Sequence, residues 1–142
     1  MAHVSQEMKA KLAPTIKTIC KKYNIKASLA VRNHSTLVLN IKSGDINFIE
    51  NYIFTDTAKP HANKMTSDQI EYLRAKKIID VNPYWYQEHF SGKSKAFLKE
   101  VIAAMYGPDY FDHSDAQTDY FHCSHYIDVK IGKWNAPYAL VK

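Results

Sequence analysis

Residues 26–42, KASLAVRNHSTLVLNIK, decide the fold of this chain because apolar and polar side chains alternate through them twice. An alternation with a period of two places successive side chains on opposite faces of a β-strand. The intervening residues 33–35, Asn-His-Ser, favour a tight turn, since asparagine adopts a positive φ at low cost. The stretch therefore predicts a β-hairpin with strands at residues 27–33 and 36–42.

An amphipathic helix is predicted before the hairpin, at residues 5–23. Apolar residues recur there at intervals of three or four, namely Met8, Leu12, Ile16, Ile19 and Tyr23. Pro14 lies inside this pattern and lacks the N–H that would bond to residue 10. We therefore expect a kink or break near Ala13.

Three further helices are predicted between the hairpin and residue 106. Asp45 is a suitable N-cap for a short helix, and Thr66 with Gln69 forms a capping box for a helix reaching about Ile79. The apolar face of residues 94–106 is wide and is followed by Gly-Pro, which ends a helix. We expect this last helix to lie across the sheet.

The C-terminal part alternates again, which predicts a strand at residues 124–132 and a short edge strand at 137–141. We expect Ile127, Val129 and Ile131 to face the core. The predicted fold is a single α+β domain over residues 1–142. Its one antiparallel sheet of three to four strands is packed on one face by the N-terminal helix and the helix at 94–106.

The composition is that of a soluble globular protein, with 46% hydrophobic and 23% charged residues. No apolar run approaches the 18 residues of a membrane span, and the N-terminus lacks the apolar middle of a signal peptide. Cys20 and Cys123 form no metal or redox motif. We expect a cytoplasmic protein with reduced thiols and no cofactor.

Positive charge is concentrated at the start of the chain. Residues 1–42 hold eight basic residues and one acidic residue, whereas the whole chain has a net charge of +5. Such a segment can steer the protein toward nucleic acid or toward an acidic protein face. The candidate nucleic-acid contacts are Lys17, Lys21, Lys22 and Arg32. The simpler interpretation, which we favour, is the solvated face of an amphipathic helix.

Four aromatic residues fall within residues 84–90, YWYQEHF. An exposed cluster would anchor a partner or stack bases, with Tyr84, Trp85 and Tyr86 as the contacts. The alternative, which we favour, is that Trp85 and Phe90 complete the core while the tyrosines lie at its rim.

A polar loop around residues 112–125 carries many groups capable of chemistry. Its Asp112, Asp115 and Asp119 suit either a cation site or turns held by Asx side chains; the EF-hand pattern is absent. A zinc set is also conceivable, from His113, His122, Cys123 and His125. Neighbouring residues of a strand point to opposite faces. A strand could therefore offer at most two of His122, Cys123 and His125 to one metal. We therefore assign neither metal ligands nor catalytic residues.

Several segments of the C-terminal half resemble a family of small proteins from phages and mobile genetic elements. They are NPYW at 82–85, FSGK at 90–93, SDAQTDYF at 114–121 and IGKWNAPY at 131–138. The N-terminal helix and hairpin are similar to the large-polyvalent-protein-associated α+β domains of those elements. No catalytic residues come with this resemblance.

The resemblance implies a bacterial host cell, in which small early proteins counter host defences. Our leading hypothesis is an accessory protein that inhibits a host protein or ribonucleoprotein complex by occlusion, for example as an anti-CRISPR protein. The candidate contacts are Tyr84, Trp85, Tyr86, Asp112, Asp115, Asp119, Tyr120 and Trp134.

Two other functions stay open. A nucleic-acid-binding module would use the basic N-terminal helix and hairpin, and its binding would depend strongly on salt. A small metal-dependent enzyme would be centred on His113, His122, Cys123 and His125, with Asp119 nearby. A hydrophobic sheet edge would also allow a homodimer.

Overall fold

The computed structural model describes residues 3–58, 65–108, 110 and 125–141. These residues form five helices and five strands in one α+β arrangement, so the predicted class is confirmed. The helices are α1 (Gln6–Lys22), α2 (Phe48–Thr57), α3 (Ser67–Lys76), α4 (Tyr86–His89) and α5 (Gly92–Tyr106). The strands are β1 (Ile25–Arg32), β2 (Thr36–Gly44), β3 (Ile79–Val81), β4 (Tyr126–Ile131) and β5 (Ala139–Leu140). No described helix has the length and apolar character needed to cross a membrane.

The predicted hairpin is confirmed. Strands β1 and β2 pair antiparallel from Ile25 opposite Gly44 to Arg32 opposite Thr36. Asn33 and His34 both have a positive φ, of 54° and 58°, and this left-handed conformation reverses the chain within two residues.

The described sheet is mixed and has five strands, so the predicted antiparallel sheet of three to four strands is matched only in part. Strand β4 pairs parallel with β2, and β5 pairs parallel with the end of β2. Strand β3 pairs antiparallel with β4, and the order is β1-β2-β4-β3. Three helices and β3 lie between β2 and α5, which gives the chain room to return and run β4 in the same direction as β2.

Strand β3 replaces the end of the helix that was predicted to reach Ile79. Helix α3 ends at Lys76, and Lys77 takes the left-handed conformation, with φ 57° and ψ 45°. Ile79 and Val81 then pair with Ile131 and Val129 of β4 and are buried. They alternate with the exposed Asp80, as in a strand, and contact with β4 determines their conformation.

Helix α1 runs without a break through Pro14, contrary to the break considered near Ala13. Both Ala10 and Pro14 are exposed, so the carbonyl group that loses its helical donor remains open to water. The hydroxyl of Thr18 donates to the Pro14 carbonyl oxygen over 2.9 Å. At its start, the Ser5 side chain accepts from the Met8 N–H and caps the helix.

The three other predicted helices are present, but the predicted N-cap of the short helix after the hairpin is wrong. Thr66 and Gln69 form the predicted capping box of α3, and α5 matches the helix predicted at 94–106 within two residues. Helix α2 is capped by Asn47, whose side chain accepts from the Glu50 N–H. Asp45 instead accepts from Nδ2 of Asn24 over 3.1 Å, which takes it away from the helix.

The core lies between the sheet and helices α1 and α5. Leu39 faces this side together with its partners Leu29 and Val129, because paired residues share a sheet face. Phe97 and Leu98 of α5 are fully buried against it. The opposite face carries polar residues, including Ser28, Asn40 and Lys130.

We expect Thr66→Ala to lower the free energy of unfolding by about 1 kcal/mol, because it removes the acceptor for the Gln69 N–H. Urea denaturation followed by circular dichroism measures this change. Thr66→Ser is the control, since its hydroxyl retains the cap and its stability should match the wild type within a few tenths of a kcal/mol. Equal losses in both variants would contradict a capping role.

Candidate functional site

The predicted site residues divide into those that the structure describes and those that it does not. Outside the described residues lie Asp112, His113, Asp115, Asp119, Tyr120, His122 and Cys123. The structure describes Lys17, Lys21, Lys22, Arg32, Tyr84, Trp85, Tyr86, His125 and Trp134.

The aromatic stretch is split between the surface and the core. Tyr84 and Trp85 are 66% and 56% exposed, whereas Tyr86 and Phe90 are 6% and 2% exposed. Phe90 therefore completes the core as expected. Trp85, predicted in the core, is exposed, and Tyr86, predicted at the rim, is buried. Tyr86 begins helix α4, which turns its ring inward, and it presents no surface to a partner.

Asn82 holds the backbone of the two exposed residues in place. Its side-chain oxygen accepts from the Tyr84 N–H over 2.8 Å, and its carbonyl oxygen accepts from the Trp85 N–H over 3.2 Å. This is an Asx-type turn, and Pro83 within it restricts the backbone further. This positioning role of Asn82 was not predicted from the sequence, although Asn-Pro is a known turn signal.

A cleft of about 430 Å³ lies beside Tyr84, at the edge of the sheet formed by β3. Its lining residues are Asp80, Val81, Asn82, Pro83, Tyr84, Tyr106, His125, Tyr126 and Ile127. Tyr126 is 46% exposed and extends the aromatic lining onto β4. We call Tyr84, Trp85 and Tyr126 the aromatic surface. The sequence signal for Tyr126 is the alternation of side chains along β4, which directs Tyr126 away from the core.

His125 is fully buried in the wall of this cleft. Its Nε2 lies 2.9 Å from the carbonyl oxygen of Met105. Because a carbonyl oxygen only accepts, Nε2 carries the proton and is not available to a metal. The ring also packs edge-on against Tyr110, at 5.4 Å between centroids. Within the described part of the chain, no three His, Cys, Asp or Glu side chains are grouped so as to hold a metal ion.

Cys20 has the environment of a structural thiol. It is buried on α1, and this burial raises its pKa to about 11. At neutral pH the side chain is therefore protonated, and a protonated thiol is a poor nucleophile.

Two of the four candidate nucleic-acid contacts are engaged in ion pairs. Lys22 Nζ lies 3.0 Å from a carboxylate oxygen of Glu100, and Arg32 lies 2.7 Å from Asp128. Glu100 also accepts from the hydroxyl of Tyr23, and this bond raises the pKa of Tyr23. Lys17 and Lys21 of α1 make no ion pair within the residues that the structure describes.

Trp134 is 86% exposed, at the turn that follows β4. The turn is closed by hydrogen bonds in both directions between Lys133 and Ala136, of 3.0 and 2.9 Å. Tyr126 stands at the other end of β4, roughly 17 Å away at the usual rise of a strand. The structure therefore does not bring Trp134 together with the aromatic surface.

No protein-family model, curated protein or solved structure matches this chain. The resemblance to proteins of phages and mobile elements stays a prediction.

Proposed function

We propose that this protein binds another macromolecule through the aromatic surface and acts by covering the partner's surface. The observation that carries the proposal is the exposure of two adjacent aromatic side chains, Tyr84 and Trp85, on a turn held by Asn82. Tyrosine and tryptophan give large contact areas for little lost side-chain entropy, and they are enriched among the residues that dominate binding energies.

The turn favours binding because it orders the backbone before a partner arrives. Two hydrogen bonds to Asn82 and the fixed φ of Pro83 limit the conformations of residues 82–85. A preordered contact loses less entropy on association than a mobile one. The cleft beside Tyr84 adds a concave site for an apolar side chain of the partner.

The partner in this proposal is a host protein or ribonucleoprotein, for example a CRISPR-type defence complex. The predicted resemblance supports the choice of a host defence target, and the aromatic surface supports a protein contact. An inhibitor of this kind requires no catalytic group, since a bound protein excludes other ligands from the surface that it covers.

Nucleic-acid binding is the weaker proposal. It would rest on Lys17 and Lys21, because Lys22 and Arg32 are paired with carboxylates. Each phosphate contact adds to the salt dependence of binding, so two free lysines give a shallow dependence. The metal-dependent enzyme stays a hypothesis about residues outside the described part of the chain.

Replacing both exposed rings is expected to remove most of the affinity for the partner. Tagged wild-type protein and the variant Tyr84→Ser with Trp85→Ser would be used to capture partners from a nuclease-treated bacterial lysate. The captured complex would then be purified and titrated against both proteins. We expect the variant to bind roughly 30-fold more weakly or worse, which corresponds to ~2 kcal/mol.

Phe54→Ser with Tyr72→Ser is the matched control, because both rings are 65% exposed and neither belongs to the aromatic surface. The control should retain wild-type affinity. Equal binding by wild type and the Tyr84 and Trp85 variant would contradict the proposal. Capture of nucleic acid alone, lost after digestion, would favour the weaker proposal instead.

A further inference from the structure

Within the part of the chain that the structure describes, strand β1 is an edge strand without the usual protection. Among the described strands, β2 is the only one that pairs with β1. Edge strands are normally blocked by charges, prolines or bulges, because their free N–H and C=O groups can pair with another chain. The bulge of β1 lies at one end, between Lys26 and Ala27, and residues 27–31 contain neither a charge nor a proline.

The backbone groups that face this free edge can be identified from the sheet register. The Ile41 carbonyl oxygen accepts from the Gly132 N–H over 2.9 Å, on the β4 side of β2. Backbone groups alternate in direction along a strand, so Val38 and Asn40 face β1 and bond to Ala30 and Ser28. Leu29 and Val31 must then direct their N–H and C=O groups toward the free edge.

A groove of about 490 Å³ runs along this edge, between α1 and β1. Its floor is apolar and includes Ile16, Leu29 and Leu39. A strand added beside β1 would direct every second side chain toward the helix side of the sheet. Those side chains would enter the groove, which makes it a specificity pocket for an extended chain.

The charge on the groove is positive. Lys17 and Lys21 line it from α1 and Lys26 lines it from β1, and no carboxylate belongs to the lining. None of these three lysines is ion-paired within the described residues. The carboxylate of Asp45, outside the lining, accepts a hydrogen bond from Asn24, which lines the groove.

We infer that this groove binds an extended, acidic peptide segment of another protein, which adds to the sheet as a strand beside β1. Backbone hydrogen bonds to Leu29 and Val31 would supply affinity, and apolar side chains alternating with acidic ones would supply specificity. This site is separate from the aromatic surface, which lies at the opposite edge of the sheet, next to β3.

Two other occupants fit the groove less well. A second copy paired through β1 would bring both sets of lysines into one interface, where like charges repel each other. A nucleic acid would gain from the lysines but would not use the free strand edge or the apolar floor.

The peptide can be identified and its binding mode tested with the full-length protein. Beads carrying random ten-residue peptides would be screened at low salt with the fluorescently labelled protein. We expect the selected peptides to share apolar residues that alternate with Asp or Glu.

The selected sequence would then be made in two forms, each with N-methyl groups on alternate amides. One form should lose binding by at least tenfold and the other should keep it, because only alternate amides face β1.

Protein variants test the charge independently. Lys17→Glu with Lys21→Glu should weaken binding by about tenfold, because two attractive contacts become repulsive. Lys95→Glu with Lys99→Glu changes the net charge equally, but these exposed residues lie outside the groove lining, so binding should stay within about twofold.

Several results would overturn the inference. They are selected peptides without acidic residues, equal binding by both N-methylated forms, and equal losses in the two lysine variants. Dimers that form in sedimentation experiments as the protein concentration rises, and that displace the peptide, would show that the free edge of β1 binds a second copy of the chain. Tight binding of labelled single-stranded DNA, with no peptide selected, would assign the lysines to nucleic acid.

Discussion

Replacing Gly132 with alanine is expected to lower the free energy of unfolding by roughly 3 kcal/mol or more, a large part of the stability of a small domain. The residue has a φ of +73°, which L-residues with a side chain rarely adopt. A Cβ atom there would lie 2.5 Å from the Lys77 carbonyl oxygen and 2.6 Å from the Tyr138 nitrogen. Those two atoms are joined by a backbone hydrogen bond of 3.0 Å, so neither can rotate away.

The control for Gly132→Ala is Gly92→Ala. Gly92 also has a positive φ, of +55°, but a Cβ atom there would meet nothing within 4 Å. Replacing Gly92 with alanine should lower the free energy of unfolding only by the cost of the positive φ, about 1 kcal/mol. Urea denaturation of the two variants separates the contact with Lys77 and Tyr138 from the cost of the positive φ. Equal stabilities would show that the loop after β4 yields to the added methyl group.

Phe48→Ala is expected to lower the free energy of unfolding by about 3–5 kcal/mol. The side chain is fully buried and joins three other rings in the core. Its ring centroid lies 5.9 Å from that of Phe97 on α5, 6.3 Å from that of Phe90, and 5.4 Å from that of Tyr138. Removal of the ring leaves a cavity between α2, α5 and the C-terminal residues.

Phe54→Ala is the matched control, since Phe54 lies on the same helix with 65% of its surface exposed. The same substitution there should change the free energy of unfolding by no more than about 0.5 kcal/mol. Urea denaturation curves of both variants give the midpoint and the slope, and from these the difference in the free energy of unfolding. A small loss for Phe48→Ala would mean that neighbouring rings refill the cavity.

Gly132 and Phe48 lie outside the two proposed binding regions. Tyr84 and Trp85 are exposed, and the exposed Lys17 and Lys21 make no ion pair within the described residues, so their replacement should leave the fold intact. Loss of binding in those variants can therefore be distinguished from loss of structure. Far-UV circular dichroism and the urea midpoint of each variant provide that check.

The sequence by itself determined the elements whose signals are local. The hairpin of β1 and β2 follows from alternation around Asn33, and the start of α3 follows from the capping box of Thr66 and Gln69. The long apolar face of α5 and the inward side chains of β4 could also be predicted. In each case the deciding residues lie within a few positions of one another, where helical or strand geometry sets their contacts.

The tertiary structure decided which strands are neighbours and which rings are exposed. Strand β4 lies parallel to β2, and this places β1 at an edge and β3 beside β4. Tyr86 is buried in the core and Trp85 is exposed, although the two are adjacent in sequence. Strand pairing and core packing join residues far apart in the chain, and alternation along one strand carries no information about the direction of its neighbour.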